Sequence, residues 1–264
     1  MIPLACARPI DSTQALTEAI GKGFERYGIT AREVTASGGA FPTIDALRID
    51  LTNAKLNREM RPPGKASGDG PEIRIESLEV KAHPLLLEDA PVELDLRATG
   101  AVARLVSGNG EEALLVPQSA AEGQVSVSIR NADLEHLLQT AASMAAAKHG
   151  VEIKETHVSL TARGNRGLTF RAEVVAKVFF AKAPVALTGE ADLDESLNLQ
   201  LSKLAFEGSG MVANLAGGFI RPHLDKLQEK PISLGAFALG QMRLQDITIS
   251  TTDGIAIQAK LAAG

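Results

Sequence analysis

Leu168 to Phe180 constrains this chain more than any other segment. Leu168, Phe170, Ala172, Val174, Ala176, Val178 and Phe180 recur at every second position. Side chains two apart share one side of an extended strand, so all seven fall on one face. Thirteen residues make a strand of about 43 Å, over twice the usual length. Its neighbours share the style. Val151 to Ala162 reads as one hairpin arm and Pro184 to Leu193 as another, with Val185, Leu187, Ala191 and Leu193 on one face. Leu197, Leu199 and Leu201 continue the alternation.

The first half is also strand-rich. Leu47, Ile49 and Leu51 alternate with polar residues, as do Ile73 and Ile75, then Leu78 and Val80. The phase slips near Glu76 and Ser77, which predicts a β-bulge there. Val92 to Ala98, Ala101 to Val106, Ala113 to Val116 and Gln124 to Ile129 follow as four further strands. Asn109-Gly110 is a hairpin signal. Arg61 to Pro71 (RPPGKASGDGP) has no apolar periodicity and reads as a flexible loop. Met242 to Ser250 and Ile255 to Leu261 are the last strands, joined by Thr252-Asp253-Gly254.

Three helices interrupt the strands. The first runs from about Ser12 to Tyr27, with Leu16, Ile20 and Phe24 as its stripe. Asp11 or Ser12 can cap it, Asp11 and Gln14 have capping-box spacing, and Gly28 ends it. The second runs from Asn131, a candidate cap, to His149, with Gly150 as its stop. Leu134, Leu137, Leu138, Ala141, Ala142 and Ala145 form its apolar face, whose far half is small. The third starts near Gly210 and carries Met211, Val212, Leu215, Phe219 and Ile220, with Pro222 as a kink and Leu224 and Leu227 beyond it. Alternating strands joined by hairpins predict an α+β fold with an antiparallel sheet and helices on one side. The central strands of a parallel doubly wound sheet would be continuous apolar runs.

Composition narrows the function. The chain has 264 residues, with 27 Lys and Arg against 32 Asp and Glu, for a net charge of −5. Aromatics make up 3%, with no Trp and Tyr27 as the one tyrosine. Neither a basic phosphate-binding surface nor a set of base-stacking rings follows, so no nucleic-acid partner is expected. Cys6 is the one cysteine, which rules out an intrachain disulfide and a zinc site with two cysteine ligands from this chain. The most apolar stretch, Val174 to Leu187, is 14 residues long and holds Lys177, Lys182 and Pro184, too short and too polar for a membrane-spanning helix. Met1 to Ile10 is apolar but short for a signal peptide, and Leu4-Ala5-Cys6 lacks the hydrophobic region that precedes a lipoprotein cleavage site.

Catalytic signatures are weak. Gly208-Ser-Gly210-Met-Val-Ala213 fits G-x-G-x-x-[GA], with Asp225 and Glu229 near ribose-ligand spacing. No strand–helix–strand unit surrounds it, so a tight strand-to-helix turn is the simpler reading. His83, His136, His149, His157 and His223 stand apart from one another and from other ligand types, so no metal is expected. His149 suits the last turn of a helix. Asp192 with Asp194, and Glu111 with Glu112, sit at strand ends and read as solvated charge. No enzyme and no cofactor are expected.

The order of short motifs resembles a known family. Gly123 to Leu138 (GQVSVSIRNADLEHLL) places a strand directly before an Asp-Leu helix start. Pro184 to Leu193, the helix Leu215 to Leu227, Pro231-Ile-Ser-Leu-Gly235, Met242 to Ile249 and Asp253-Gly254-Ile255 follow. Together these resemble the bacterial LmeA-like phospholipid-binding family of the tubular lipid-binding (TULIP) superfamily, over most of the chain. The resemblance implies a long curved antiparallel sheet wrapped around helices, with an apolar tunnel for acyl chains. It implies one lipid-binding domain over 1–264, with a loop at 61–71 longer than the family needs. The implied activity is non-enzymatic binding, and transfer or sensing, of phospholipid or other acyl-chain lipid, with transient membrane contact. The resemblance leaves the identity of any protein partner open. The expected tunnel lining is Leu134, Leu138, Ala141 and Ala145 on the second helix, Leu215 and Phe219 on the third, and Phe170, Val174 and Val178 on the long strand. Family members are often exported with an N-terminal signal or anchor, which is not seen here. The expected location is the periplasm or cell envelope if such a segment was removed, and otherwise the cytoplasm at a membrane surface. The alternative is a structural or adaptor module of the cell envelope with a filled core and no ligand.

Overall fold

The computed structural model describes residues 2–5, 10–56, 70–107, 112–147, 151–178, 181–194, 198–210, 217, 224–225, 228–229, 232–233 and 243–262. The chain opens with strand β1 (Ile2–Ala5), helix α1 (Thr13–Arg26), β2 (Glu33–Ser37), β3 (Thr43–Asp50) and β4 (Lys55–Leu56). Four more strands follow: β5 (Glu72–Leu87), β6 (Ala90–Ser107), β7 (Glu112–Ser119) and β8 (Glu122–Arg130). Next come helix α2 (Asn131–Ala147), β9 (Glu152–Arg163), β10 (Gly167–Val178), β11 (Ala181–Leu193) and β12 (Asn198–Gly208). The described elements end with β13 (Ile232–Ser233), β14 (Arg243–Ser250) and β15 (Gly254–Ala262). The fold is α+β, with two open, largely antiparallel sheets. Residue contacts divide the chain into two compact units, residues 1–128, 235–247 and 257–264 in the first and 129–234 and 248–256 in the second. No described helix is long and apolar enough to cross a membrane.

In the first unit, α1 follows from its caps and its stripe. Ser12, not Asp11, is the N-cap: its side chain accepts from the Ala15 N–H at 3.2 Å. The far end closes as a Schellman turn, in which Ile29 N–H donates to Phe24 O and Gly28 N–H to Glu25 O. Gly28 has φ +69°, a conformation that favours glycine. Leu16, Ala19, Ile20, Gly23 and Phe24 are buried, one face of the helix. The apolar N-terminal segment is not a loose end. It is strand β1, paired with β7, and Leu4 is buried. Gly23 lies so close to the Pro3 carbonyl that a Cβ there would overlap it.

The larger sheet runs β14-β15-β8-β6-β5-β3-β2, with β1, β4 and β7 joined at its side. It departs from the expected antiparallel pattern in one place: β3 and β5 are parallel, as are β4 and β5. The chain between Asp50 and Glu72 is long enough for the crossover that a parallel pair requires. The phase slip at Glu76 is present, but no one-sided bulge causes it. Ile75 pairs with Ala101 and Ser77 with Thr99, so both strands pass one residue and the register holds. In β3, Ile44 and Ala46 likewise face Ile75 and Ser77. The buried side changes together in the three strands, from Ile44, Ile75 and Ala101 to Leu47, Leu78 and Ala98. Gly100, at φ +56°, lets β6 make this change as one 18-residue strand where two were expected. The true register shift in β5 falls between Ala82 and Leu85, at His83-Pro84, where proline cannot donate to the ladder. Ser107 pairs with Ala113, as a β6–β7 hairpin requires. Asn109-Gly110 and 61–69 of the expected loop lie outside the described residues.

In the second unit, β13-β12-β11-β10-β9 form an antiparallel sheet. β10 alternates as its sequence requires. Leu168 and Ala176 are buried and Phe170, Ala172 and Val174 half-buried, while Thr169, Arg171 and Glu173 are exposed. α2 includes Asn131 and runs to Ala147, the last described residue of its expected span. Residues 148–150 lie outside the described residues. Of the third helix, Gly210, Gly217, Leu224, Asp225, Gln228 and Glu229 are helical, and the intervening positions are not described.

Two expectations follow for the first unit. Gly23→Ala should destabilise the protein by about 1–3 kcal/mol through overlap with the Pro3 carbonyl. Gly21→Ala, on the same helix with open space around it, should be neutral or stabilising by about 0.5–1 kcal/mol. Urea unfolding of both variants gives the comparison, and equal effects would contradict the packing of α1 on β1. His83 sits between two carboxylates, with Nδ1 2.5 Å from Glu93 Oε2 and Nε2 3.1 Å from Asp95 Oδ2. The hydrogen bond to Glu93 leads in raising its pKa above the ordinary imidazole value, and burial opposes it. The folded state therefore favours the imidazolium. Its stabilisation is present in full below the unfolded imidazole value and is lost as pH rises through the higher folded value. Wild type should exceed His83→Gln in stability more at about pH 5.5 than at about pH 8.5. A difference that does not vary with pH would refute this.

Candidate functional site

The second unit carries an apolar floor bounded by polar attachments. On β9–β12 the pairing places Val158, Ala172 and Leu187 side by side, with Phe206 opposite Leu187. Leu160, Phe170 and Gly189 form the next row, and Leu168, Ala191 and Leu201 lie beyond it. All these residues are uncharged. The opposite face is ionic: Arg171 bridges Glu173 and Glu207, each at 2.8 Å, and Lys203 meets Glu190 at 2.8 Å. Solvent on one face and apolar contact on the other is what alternation in an antiparallel sheet produces.

The floor is filled at one end and less covered elsewhere. Ala176, Ala183 and Val185 are buried together, with Val151, Ile153, Val174 and Phe206 packed against them. Beyond this cluster, Leu160, Phe170, Ala172, Leu187, Leu199, Leu201 and Leu204 are each half-buried, while Val158 beside Ala172 and Leu168, Ala191 and Leu193 toward the far end are buried. The Phe170 ring lies over Gly189, where a Cβ would stand 2.8 Å from Phe170 Cζ. The absent side chain leaves the space that the ring occupies.

α2 attaches to this sheet by its polar side. Val158 N–H donates to Glu135 Oε1 at 2.8 Å, and Asn131 Nδ2 donates to Val158 O at 3.1 Å. Gln139 Nε2 donates to Lys154 O at 3.1 Å. Asn131, Glu135 and Gln139 are four residues apart, hence one stripe of the helix. β9 is an edge strand, and this stripe supplies partners to backbone groups that no further strand can pair. Asn131 is therefore the first residue of a docking stripe rather than the cap expected from sequence. β12 is treated similarly. Leu204 N–H donates to Gln228 Oε1 at 3.0 Å beside a register shift where Lys203 has φ +51°. Gln200 Nε2 donates to Gln228 O at 3.0 Å.

The expected lining residues divide as follows. Phe170 and Val174 share the floor, Phe170 at its half-buried part and Val174 against the filled cluster. Leu134 and Ala141 are half-buried on α2, and Leu138 is 37% exposed. Met144, which sequence reasoning did not select, is 43% exposed. No described side chain of α2 is buried. Ala145 is within α2 and Val178 ends β10 opposite Ala181, but their side chains lie outside the described residues. Leu215 and Phe219 lie outside them altogether. Sequence reasoning missed the Asn131, Glu135 and Gln139 stripe, although its spacing of four was visible. It also missed Gly189 beneath Phe170, which only the strand register reveals.

Other motifs acquire plain roles. β12, which leads into Gly208, is antiparallel to both neighbours, so the glycine turn lacks the parallel unit of a dinucleotide site. Gly210 adopts φ +85°, as a tight turn requires. Asp194 accepts from Asn198 N–H at 2.8 Å, and Asp192 pairs with Arg163. No group of three metal-ligating side chains occurs among the described residues. Comparison with protein-family models, with curated proteins and with solved structures finds no match to this chain.

Glu135→Ala should remove the acceptor of the Val158 amide. Its hydrogen-exchange protection should fall by roughly 1 kcal/mol, while Glu135→Gln, which keeps an acceptor oxygen, should retain most of it. Unchanged exchange at Val158 in the alanine variant would show that the stripe does not hold the edge.

Proposed function

We propose that this protein binds acyl-chain lipid, without catalysis, along the floor of the five-stranded sheet in its second unit. The observation that carries the reading is an uncharged floor on which Leu160, Phe170, Ala172, Leu187 and Leu201 are only half-buried, beside a helix with no buried side chain among its described residues. An acyl chain on such a surface is removed from water at about 0.8 kcal/mol per methylene. A chain drawn from a bilayer starts in hydrocarbon, so its transfer is near neutral and needs no energy source. Phospholipid or fatty acyl lipid would be the ligand, met through transient membrane contact, and transfer or sensing the role. The TULIP-like arrangement, strands curving around helices to enclose a tunnel lined from α2, the third helix and β10, belongs to this proposal.

Ala172→Trp tests it. Ala172 is half-buried at the centre of the floor, between Val158 and Leu187. An indole there should occupy the acyl path and abolish most binding of a fluorescent polyene lipid while cooperative thermal unfolding persists. Wild-type protein that never binds the probe is the outcome expected of a structural or adaptor module with a filled core.

A further inference from the structure

The floor holds one polar side chain whose chemistry is unspent. Thr156 on β9 pairs with Val174 and so shares its face. It is 8% exposed, and its Oγ1 is buried with no hydrogen-bond partner among the described residues. A buried hydroxyl without a partner costs about 1–3 kcal/mol, whereas valine has the same shape and no such cost. Thr156 also has a defined position. It lies where the filled cluster around Ala176 gives way to the half-buried surface at Ala172 and Phe170.

We infer that Thr156 donates a hydrogen bond to an acyl ester carbonyl of the bound lipid. This rests on the lipid-binding reading above and specifies its ligand. A hydroxyl can donate to any oxygen acceptor, so the surroundings decide which. The neighbouring floor positions Ile153, Val158, Leu160, Ala172, Val174 and Ala176 carry no charge. An ionised carboxylate would be buried there without a counter-ion, at high cost. A neutral ester carbonyl accepts the same bond without that cost. A carbonyl held at Thr156 leaves the acyl chain to run across the floor past Ala172 toward Phe170.

The test compares wild type, Thr156→Val and Thr156→Ser with three fluorescent probes at neutral pH: methyl parinarate, parinaric acid and diphenylhexatriene, a hydrocarbon without oxygen. Wild type should bind the methyl ester more tightly than the ionised acid. Thr156→Val should weaken the ester about tenfold, as loss of one net hydrogen bond does, and should leave diphenylhexatriene unchanged. Thr156→Ser should keep ester affinity. Without ligand, Thr156→Val should melt no lower than wild type. A lower melting temperature would mean that the hydroxyl is already satisfied within the protein, and would overturn the inference. Equal effects on ester and hydrocarbon, or tighter binding of the acid, would overturn it while leaving lipid binding intact. Failure of wild type to bind any probe would instead remove the lipid-binding reading on which it rests.

Discussion

The second unit depends on how its sheet edges are satisfied. A strand with no further neighbour presents backbone N–H and C=O groups that must find partners. At β9 these partners are side chains of Asn131, Glu135 and Gln139, and at β12 they include Gln228. A helix that docks by its polar stripe on a sheet edge does not bury its apolar stripe by the same contact. Leu138 and Met144 accordingly remain exposed, and the floor beside them is only partly covered. The first unit uses a related device. Ala36 N–H of the edge strand β2 donates to Thr17 Oγ1 of α1 at 3.0 Å, but there the helix also buries Leu16, Ile20 and Phe24. The contrast between α1 and α2 is the physical reason for proposing a ligand surface in the second unit.

The floor itself is graded. Small residues at one end, Ala176 and Ala183, are buried together with Val185. Larger side chains further along, Phe170, Leu187 and Leu201, stay half-buried, and Leu168 and Leu193 beyond them are buried again. Gly189 accommodates the Phe170 ring rather than a void. The ionic opposite face, with Arg171 between Glu173 and Glu207, keeps that side in water. These features suit a surface that offers apolar contact on one side only, and they support the lipid reading through chemistry rather than through any likeness to a characterised protein.

Much of the local structure was legible because it depends on residues near one another in sequence. The α1 stripe and its Gly28 stop, the existence of α2 after β8 and the alternation of β10 all follow from spacing. What depends on distant partners was not legible. The parallel pairing of β3 with β5 and the division into two sheets require knowing which strand lies beside which. The bulge was expected at Glu76 because the buried pattern slips there. The pattern cannot show that β5 and β6 slip together, so that register is kept. The candidate site was half legible: Phe170 and Val174 share a face as their period requires, while Thr156 becomes conspicuous only when its burial and pairing are known. The apolar residues of α2 drew attention in the sequence, yet its polar residues determine where it docks.

The most direct measurement is native mass spectrometry of the protein after incubation with glycerophospholipid vesicles and their removal, with organic extraction of whatever is bound. Protein that binds acyl lipid should carry a discrete added mass that fragments as an ester-linked acyl lipid. A bare protein mass under conditions that preserve non-covalent complexes would contradict lipid binding, and would assign the half-buried floor to a structural role.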